Sequence, residues 1–413
     1  MPQRPTILII GNFNRTDYID LFAACKQHFD FYFLEFASKD EVSNNYYQTY
    51  GRAIFWGDFK DADNLLAIIN PHKVVFFFIE SYYHVLLNMV CKSKGIPTYV
   101  LDHGLRDVSI SSRIEKYLIE RKSPVASKSR FKKLKQFTSR LKTRLFLLQS
   151  KKKLSKPEAT FFKAYMDIRK NRTLWETFSE IKSPFRLPSA YIAFSPKTYE
   201  AHAYHDQPAA DQLRYFIGIP TFDHLAYIKP IVPNPHQAIF FDQGFACQEI
   251  LGWDYATYKA FIKAFAHNCQ QYNIHIHVKL HPLQNSRDEN LWTDYSNVSL
   301  IDDRQVTKLL PECRLVFGFN STYLLPMMAL QHITVVVFEN HPAGKVDAFK
   351  SFIDAGVAYP VYNIEEFQKI LSNITEIHKQ QLPNKASFTA EWMYKFDGKS
   401  GERLRDILLS NTP

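Results

Sequence analysis

The chain has 413 residues, 46% of them hydrophobic and 15% aromatic, which excludes a disordered or low-complexity protein and exceeds the ~100–200 residues of one domain. Apolar runs such as 74–79 stop at six residues, far short of the ~20 that a membrane-spanning helix needs, and the first residues lack the long apolar core and small-residue cleavage site of a secretory leader. Five cysteines, odd in number and never spaced as CxxC, argue against a disulfide framework or a zinc knuckle and fit a reducing cytoplasm.

Short runs rich in β-branched and aromatic residues predict strands over 6–10, 31–36, 73–79 and 98–101, with helices over 16–28, 62–69 and 82–94 between them. Strands separated by helices of that length imply right-handed crossovers and a parallel sheet covered on both faces.

At 121–156 the pattern changes. The net charge of +10 is concentrated there: this stretch holds 14 Lys or Arg and no Asp or Glu, so the rest of the chain is net −4. Phe131, Leu134, Phe137, Leu141, Leu145 and Leu148 recur at spacings of three, three, four, four and three, the period of one helical stripe, with cations on the other faces. Such a helix can lie in the headgroup layer of an anionic membrane. Two other readings remain: a stripe packed on the protein's own core beneath a solvated basic face, or a nucleic-acid patch. The last is disfavoured because the aromatic residues sit within the stripe and are not interleaved as stacking platforms.

Strands are predicted again at 191–194 and 214–217, and Pro230, Pro233 and Pro235 mark a linker. Beyond it the alternation restarts, with strands over 238–241, 274–280, 298–301, 315–317 and 334–338 and helices over 255–272, 322–330 and 348–355. The expected fold is α/β, two Rossmann-like domains facing a cleft, 1–228 and 229–413, with a basic amphipathic helical insertion at 121–156. Ligands of doubly wound sheets bind outside the carboxyl ends of the strands, so the residues just after each strand are the candidates for chemistry.

Asp102-His103-Gly104 follows the fourth strand; its acid or imidazole could accept a proton from a substrate hydroxyl, or Asp102 could cap the turn. Asp242-Gln243-Gly244 is a second acid-x-Gly loop, able to present backbone N–H groups to a phosphate. In Lys279-Leu280-His281-Pro282 a strand delivers a histidine and proline stops further pairing. Ser321 and Thr322 stand at the start of an apolar helix, where unsatisfied N–H groups favour an anion. Glu339, after the last long strand, is placed to bind ribose hydroxyls or to be a solvated loop acid. Asp61-Ala62-Asp63 opens a helix and reads as its cap. His275 with His277, and His202 with His205, lack accompanying acids or cysteines, so no metal site is expected. Neither G-x-G-x-x-G nor G-x-x-x-x-G-K-[ST] occurs, which weakens dehydrogenase and P-loop readings.

The Lys-Leu-His-Pro element, the Ser-Thr pair some 40 residues later and an upstream acid-x-Gly loop resemble the HP, Ser-Ser/Thr and acidic-Gly motifs of bacterial sialyltransferases, polysialyltransferases and capsule Kdo transferases. The resemblance implies an inverting, metal-independent glycosyltransferase of GT-B architecture that uses a CMP-activated acidic sugar. It also implies that His281, Ser321 and Thr322 bind the CMP phosphate and that the acid of the acidic-Gly motif is the base. Asp102 is preferred for that base, since the acceptor is expected on the N-terminal domain, with Asp242 and His103 as the alternatives. Gln243, Gly244, Lys279, Pro282 and Glu339 complete the expected nucleotide site. The expected partners are a nucleotide sugar, a surface-glycan acceptor and, through 121–156, the inner face of the cell membrane; no nucleic acid and no cofactor beyond the donor are expected. The rivals are a CDP-polyol phosphotransferase and a non-catalytic glycan- or lipid-binding protein on the same fold.

Overall fold

The computed structural model describes residues 4–11, 13–35, 44–108, 130–282 and 284–410, with backbone alone at 130–140 and at Trp175. These residues form two compact units. The first comprises 4–105, 130–223 and 399–410, and the second 106–108 and the described part of 224–398.

In the first unit β1 (Thr6–Ile10), β2 (Asp30–Glu35), β3 (Gly51–Phe55), β4 (Lys73–Phe76), β5 (Thr98–Leu101), β6 (Ala190–Ala193) and β7 (Leu213–Phe216) make one parallel sheet in the order β3-β2-β1-β4-β5-β6-β7. Its helices include α1 (Ala62–Ile69), α2 (Tyr82–Ser93), α3 (Arg130–Lys151), α4 (Lys156–Asn171) and α5 (Pro196–Asp206). β4, β5 and β6 are buried along their whole length, as expected of parallel strands covered on both faces. Strand order reverses between β1 and β4, the position where doubly wound sheets open a crevice.

The second unit repeats the plan. β8 (Asn234–Phe241), β9 (His275–Lys279), β10 (Val298–Leu300), β11 (Cys313–Gly318), β12 (Thr334–Phe338) and β13 (Tyr359–Val361) form a parallel sheet in the order β10-β9-β8-β11-β12-β13. α6 (Tyr255–Gln271) packs Phe261 and Phe265 against Phe240 and Phe338 of the sheet; α7 (Leu324–Ala329) follows β11. Strand order reverses between β8 and β11.

Several expectations change. β3 and β13 were unforeseen. β3 is a five-residue edge strand led by Gly51, where a Cβ would lie 2.3 Å from the Phe31 carbonyl oxygen; glycine is there for close backbone approach, which hides the strand pattern. The helix expected over 16–28 breaks into Thr16–Asp20 and a 3-10 turn at Ala23–Cys25. Those over 322–330 and 348–355 shorten to Leu324–Ala329 and Lys350–Asp354. Part of the expected linker is strand: Pro235 lies within the first residues of β8, next to a register shift opposite Cys313 and Leu315, a place where proline is tolerated. The last helix, α8 (Ser400–Leu409), which the sequence reading left in the second domain, belongs to the first unit. There Lys73 Nζ donates to the Ile407 and Ser410 carbonyls, Asp223 accepts from the N–H groups of Ser400 and Gly401, and Arg403 Nε donates to the Ile217 carbonyl.

The basic helix α3 packs on the first unit by a face the stripe does not contain. Thr143, Phe146, Leu147 and Ser150 are buried; the Phe146 ring meets Trp56 edge-on at 4.9 Å, and Ser150 Oγ accepts from the Ala62 N–H. Leu141, Leu145 and Leu148 each remain 48% exposed. Over 141–148 the stripe therefore does not cover the core. Its members Phe131, Leu134 and Phe137 and the segment 121–129 lie outside the described side chains. Asp61 caps α1 by accepting from the Asn64 N–H, and Lys153 bridges Asp61 and Asp63. No helix among the described residues is long and apolar enough to cross a membrane.

Candidate functional site

In the first unit β5 ends at Leu101 and delivers Asp102 into the interior, where it is wholly buried. Its Oδ1 lies 2.7 Å from His202 Nε2 on α5, and its Oδ2 accepts from the Phe194 N–H at 2.9 Å. One turn along α5, Asp206 accepts from Tyr191 Oη and from Arg186, each at 2.6 Å. Burial alone would raise the pKa of Asp206, but Arg186, His202 and Tyr191 outweigh it and hold the carboxyl below its ordinary range. Asp102 thus ties the ends of β5 and β6 to α5, and as placed it presents no oxygen to a substrate.

His103, one residue on, is partly exposed. Its ring sits among Tyr18, Phe77 and Phe78, with centroids 4.7, 5.3 and 5.9 Å away. Nδ1 lies 3.4 Å from the Leu101 carbonyl oxygen. A carbonyl only accepts, so this contact favours the proton on Nδ1.

In the second unit the pairing register sets Lys279, Phe241 and Gly318 in one row across β9, β8 and β11. The loops that follow these strands leave the same edge of the sheet. Asp242 is buried and accepts four hydrogen bonds, from the Gly244 N–H at 2.9 Å, Tyr258 Oη at 2.7 Å, Gln284 Nε2 at 3.0 Å and Trp292 Nε1 at 2.9 Å. It too is a brace. Gly244 has φ +64°, and a Cβ there would lie 2.9 Å from Gln284, so the loop requires glycine twice over. Gln243 is partly exposed beside it.

Gln284 joins the two loops: its Nε2 donates to Asp242, its Oε1 accepts from the His281 N–H, and its own N–H donates to the His281 carbonyl. His281 is partly exposed and Pro282 exposed. Lys279 is nearly buried; its Nζ lies 3.4 Å from Asp303 and 4.9 Å from the Tyr323 ring centroid. Tyr323 stacks on Phe241 at 5.1 Å and donates to Asp303.

Ser321 and Thr322 follow β11. Ser321 is nearly buried, its Oγ accepting from the Tyr323 N–H and its carbonyl from the Leu324 N–H; Thr322 is partly exposed. β9 and β11 flank β8, so His281 and the hydroxyl pair leave strands roughly 10 Å apart.

Glu339 follows β12 and is buried, its carboxylate accepting from the N–H groups of Ala348 and Phe349; it is not a solvated loop acid. It helps line a cavity of about 490 Å³ with Asn340, His341, Gly344, Lys345 and Tyr362, within the size range of small-molecule sites. His341 Nδ1 accepts from Trp253 Nε1, and burial pushes the imidazole pKa down to about 4, so the ring is neutral with its proton on Nε2.

The sequence reading missed Gln284 and, apart from Glu339, the lining of this cavity. A glutamine three residues after the histidine was the available signal for the first; the cavity loop carries no periodic pattern.

The fold is GT-B, shared with solved glycosyltransferases. The calicheamicin glycosyltransferase CalG4 is 10% identical, with TM-score 0.53 over 99% of this chain and 98% of its own. The wall teichoic acid polymerase TagF is 12% identical, with TM-score 0.51 over 98% and 88%, and the spinosyn forosaminyltransferase SpnP 10% identical, with TM-score 0.50 over 99% and 100%. No curated protein matches the sequence. The alpha-2,8-polysialyltransferase family model matches residues 26–339, and the chain belongs to that family.

Proposed function

We propose that the enzyme transfers a CMP-activated acidic sugar to a surface-glycan acceptor in the cytoplasm, with inversion at the anomeric carbon and without a metal. Family membership supports an acidic sugar. The observation that supports the nucleotide side is that the loops carrying His281, Thr322 and the Glu339 cavity all follow strands at one edge of the second sheet. Charge grows on the phosphate as its bond to the sugar breaks, and an imidazole with hydroxyl and backbone donors stabilises it. Gln284 holds the His281 loop in place for that contact.

An acceptor hydroxyl barely ionises at neutral pH, so transfer needs a base. Asp102 has both oxygens engaged inside the first unit, so the role falls to its neighbour His103, which is partly exposed at the end of β5. Thermal-shift screening against CMP, CDP, UDP and GDP tests the donor class, since a ligand of the native state raises its melting point. CMP should give the largest shift. His281→Ala should weaken CMP binding about tenfold or more, ~1.4 kcal/mol, by calorimetry; unchanged affinity refutes the phosphate role.

A second reading follows from the fold shared with a wall teichoic acid polymerase: transfer of a CDP-linked polyol phosphate. CDP would then outrank CMP in the screen, and the product would contain phosphorus.

A further inference from the structure

We propose that α3 docks the protein on an anionic lipid surface, with Leu141, Leu145 and Leu148 entering the headgroup layer and the flanking cations facing lipid phosphates. The helix has two opposed faces. Its buried face is Thr143, Phe146, Leu147 and Ser150, already packed on the first unit. At 100° per residue Leu141, Leu145 and Leu148 fall within one ~60° sector, about half a turn from the centre of the buried face, and each is 48% exposed. Three leucines stacked at four- and three-residue spacing on the outside of a domain are an exposed apolar stripe, unlike singly scattered surface leucines.

The charges beside the stripe select the occupant. Lys142 and Arg144 are exposed on its two sides, and Lys152 is exposed just beyond the helix end. No acidic residue occurs anywhere in 121–156. A helix with an apolar stripe bordered by cations matches the boundary between acyl chains and anionic headgroups. A polyanionic glycan or nucleic acid would use the cations alone and leave the leucines idle in water. A partner protein bound to this face would need acidic groups around an apolar groove and would not require lipid.

The test uses the full chain and sedimentation with vesicles of phosphatidylcholine, with and without 30 mol% phosphatidylglycerol, an amount on the order of that in anionic membranes. The chain should pellet with the anionic vesicles, pellet little with the neutral ones, and be released as salt rises. The triple substitution Leu141→Gln, Leu145→Gln, Leu148→Gln should cut vesicle affinity tenfold or more while circular dichroism and the thermal shift with nucleotide stay as in the parent chain. Lys142→Gln with Arg144→Gln should weaken binding to anionic vesicles and flatten its salt dependence. If the leucine variant pellets as the parent does, or if soluble anionic polymer at equal charge removes parent and leucine variant from vesicles alike, lipid insertion is overturned. Because nucleotide binding is read separately, failure here leaves the transferase reading standing, and the converse also holds.

Discussion

After β5 a buried carboxylate faces a histidine; after β8 a buried carboxylate faces only neutral donors. Asp102 holds one imidazole and one backbone N–H, and it neighbours a second ionic cluster of Asp206, Arg186 and Tyr191. Asp242 holds four uncharged donors, from α6, the loop after β9, the turn at Trp292 and its own loop. Both follow a parallel strand and both precede glycine by two residues, yet neither faces outward. In each unit the acid at the strand end is an internal strut, and the residue after it, His103 or Gln243, is the one left partly exposed. The two units also share a second device: Lys73 donates to carbonyls at the end of α8, and Lys385 to the Met328 carbonyl in the last turn of α7.

This comparison breaks most readily at His103. His103→Ala should lower turnover by about 10²–10⁴-fold, the range for loss of a general base, with little change in unfolding midpoint. A variant that turns over at the parent rate returns the base to Asp102 or sends it elsewhere. Next in size is Asp242→Ala, which leaves Tyr258 Oη, Trp292 Nε1 and Gln284 Nε2 buried without their acceptor. It should cost about 3–5 kcal/mol of stability in urea unfolding, and a loss below ~1 kcal/mol would show that the brace is dispensable.

Asp102→Asn keeps one acceptor oxygen and should cost less, about 2–3 kcal/mol, with activity lost only in proportion to unfolded protein. Collapse of turnover in a chain that unfolds at the parent urea concentration would make Asp102 catalytic and erase the likeness between the units.

The smallest effect separates the two lysines. Burial pushes Lys385 down to about 7 and Lys73 down to about 8, against ~10.4 in the unfolded chain. Between the folded and unfolded values the unfolded state binds more protons, so each lysine makes stability rise with pH across that window and lowers it below. The window is wider for Lys385, which is the more deeply buried of the two. Lys385→Met should therefore flatten the rise in urea midpoint between about pH 7 and pH 10 more than Lys73→Met does; equal flattening would deny the difference in burial.

How far the sequence carries depends on the range of the forces that shape each feature. β4 and β12 were legible because burial on both faces leaves unbroken apolar runs, Val74–Phe76 within one and Val335–Phe338 within the other. β3 was not, since its glycine answers to the Phe31 backbone across the sheet. The strand-end loops 102–104, 242–244 and 281–282 were all found at the edge where they lie. Which way their acids point was not readable, because it is decided by partners far along the chain: Phe194 and His202 lie 92 and 100 residues from Asp102, and Gln284 and Trp292 lie 42 and 50 from Asp242. The stripe on α3 was visible as a period, but a period cannot tell a face that seeks the core from one that avoids it. Phe146 and Leu147, off the stripe, decide that.

The attachment of α8 to the first unit constrains the order in which the molecule is made. Lys73 and Asp223 emerge from the ribosome well before the residues they clasp, with the whole second unit synthesised in between. The amino-terminal half lacks this helix until the second unit has been synthesised. A nascent chain arrested after 228 would hold a sheet whose buried lysine has yet to find its carbonyls.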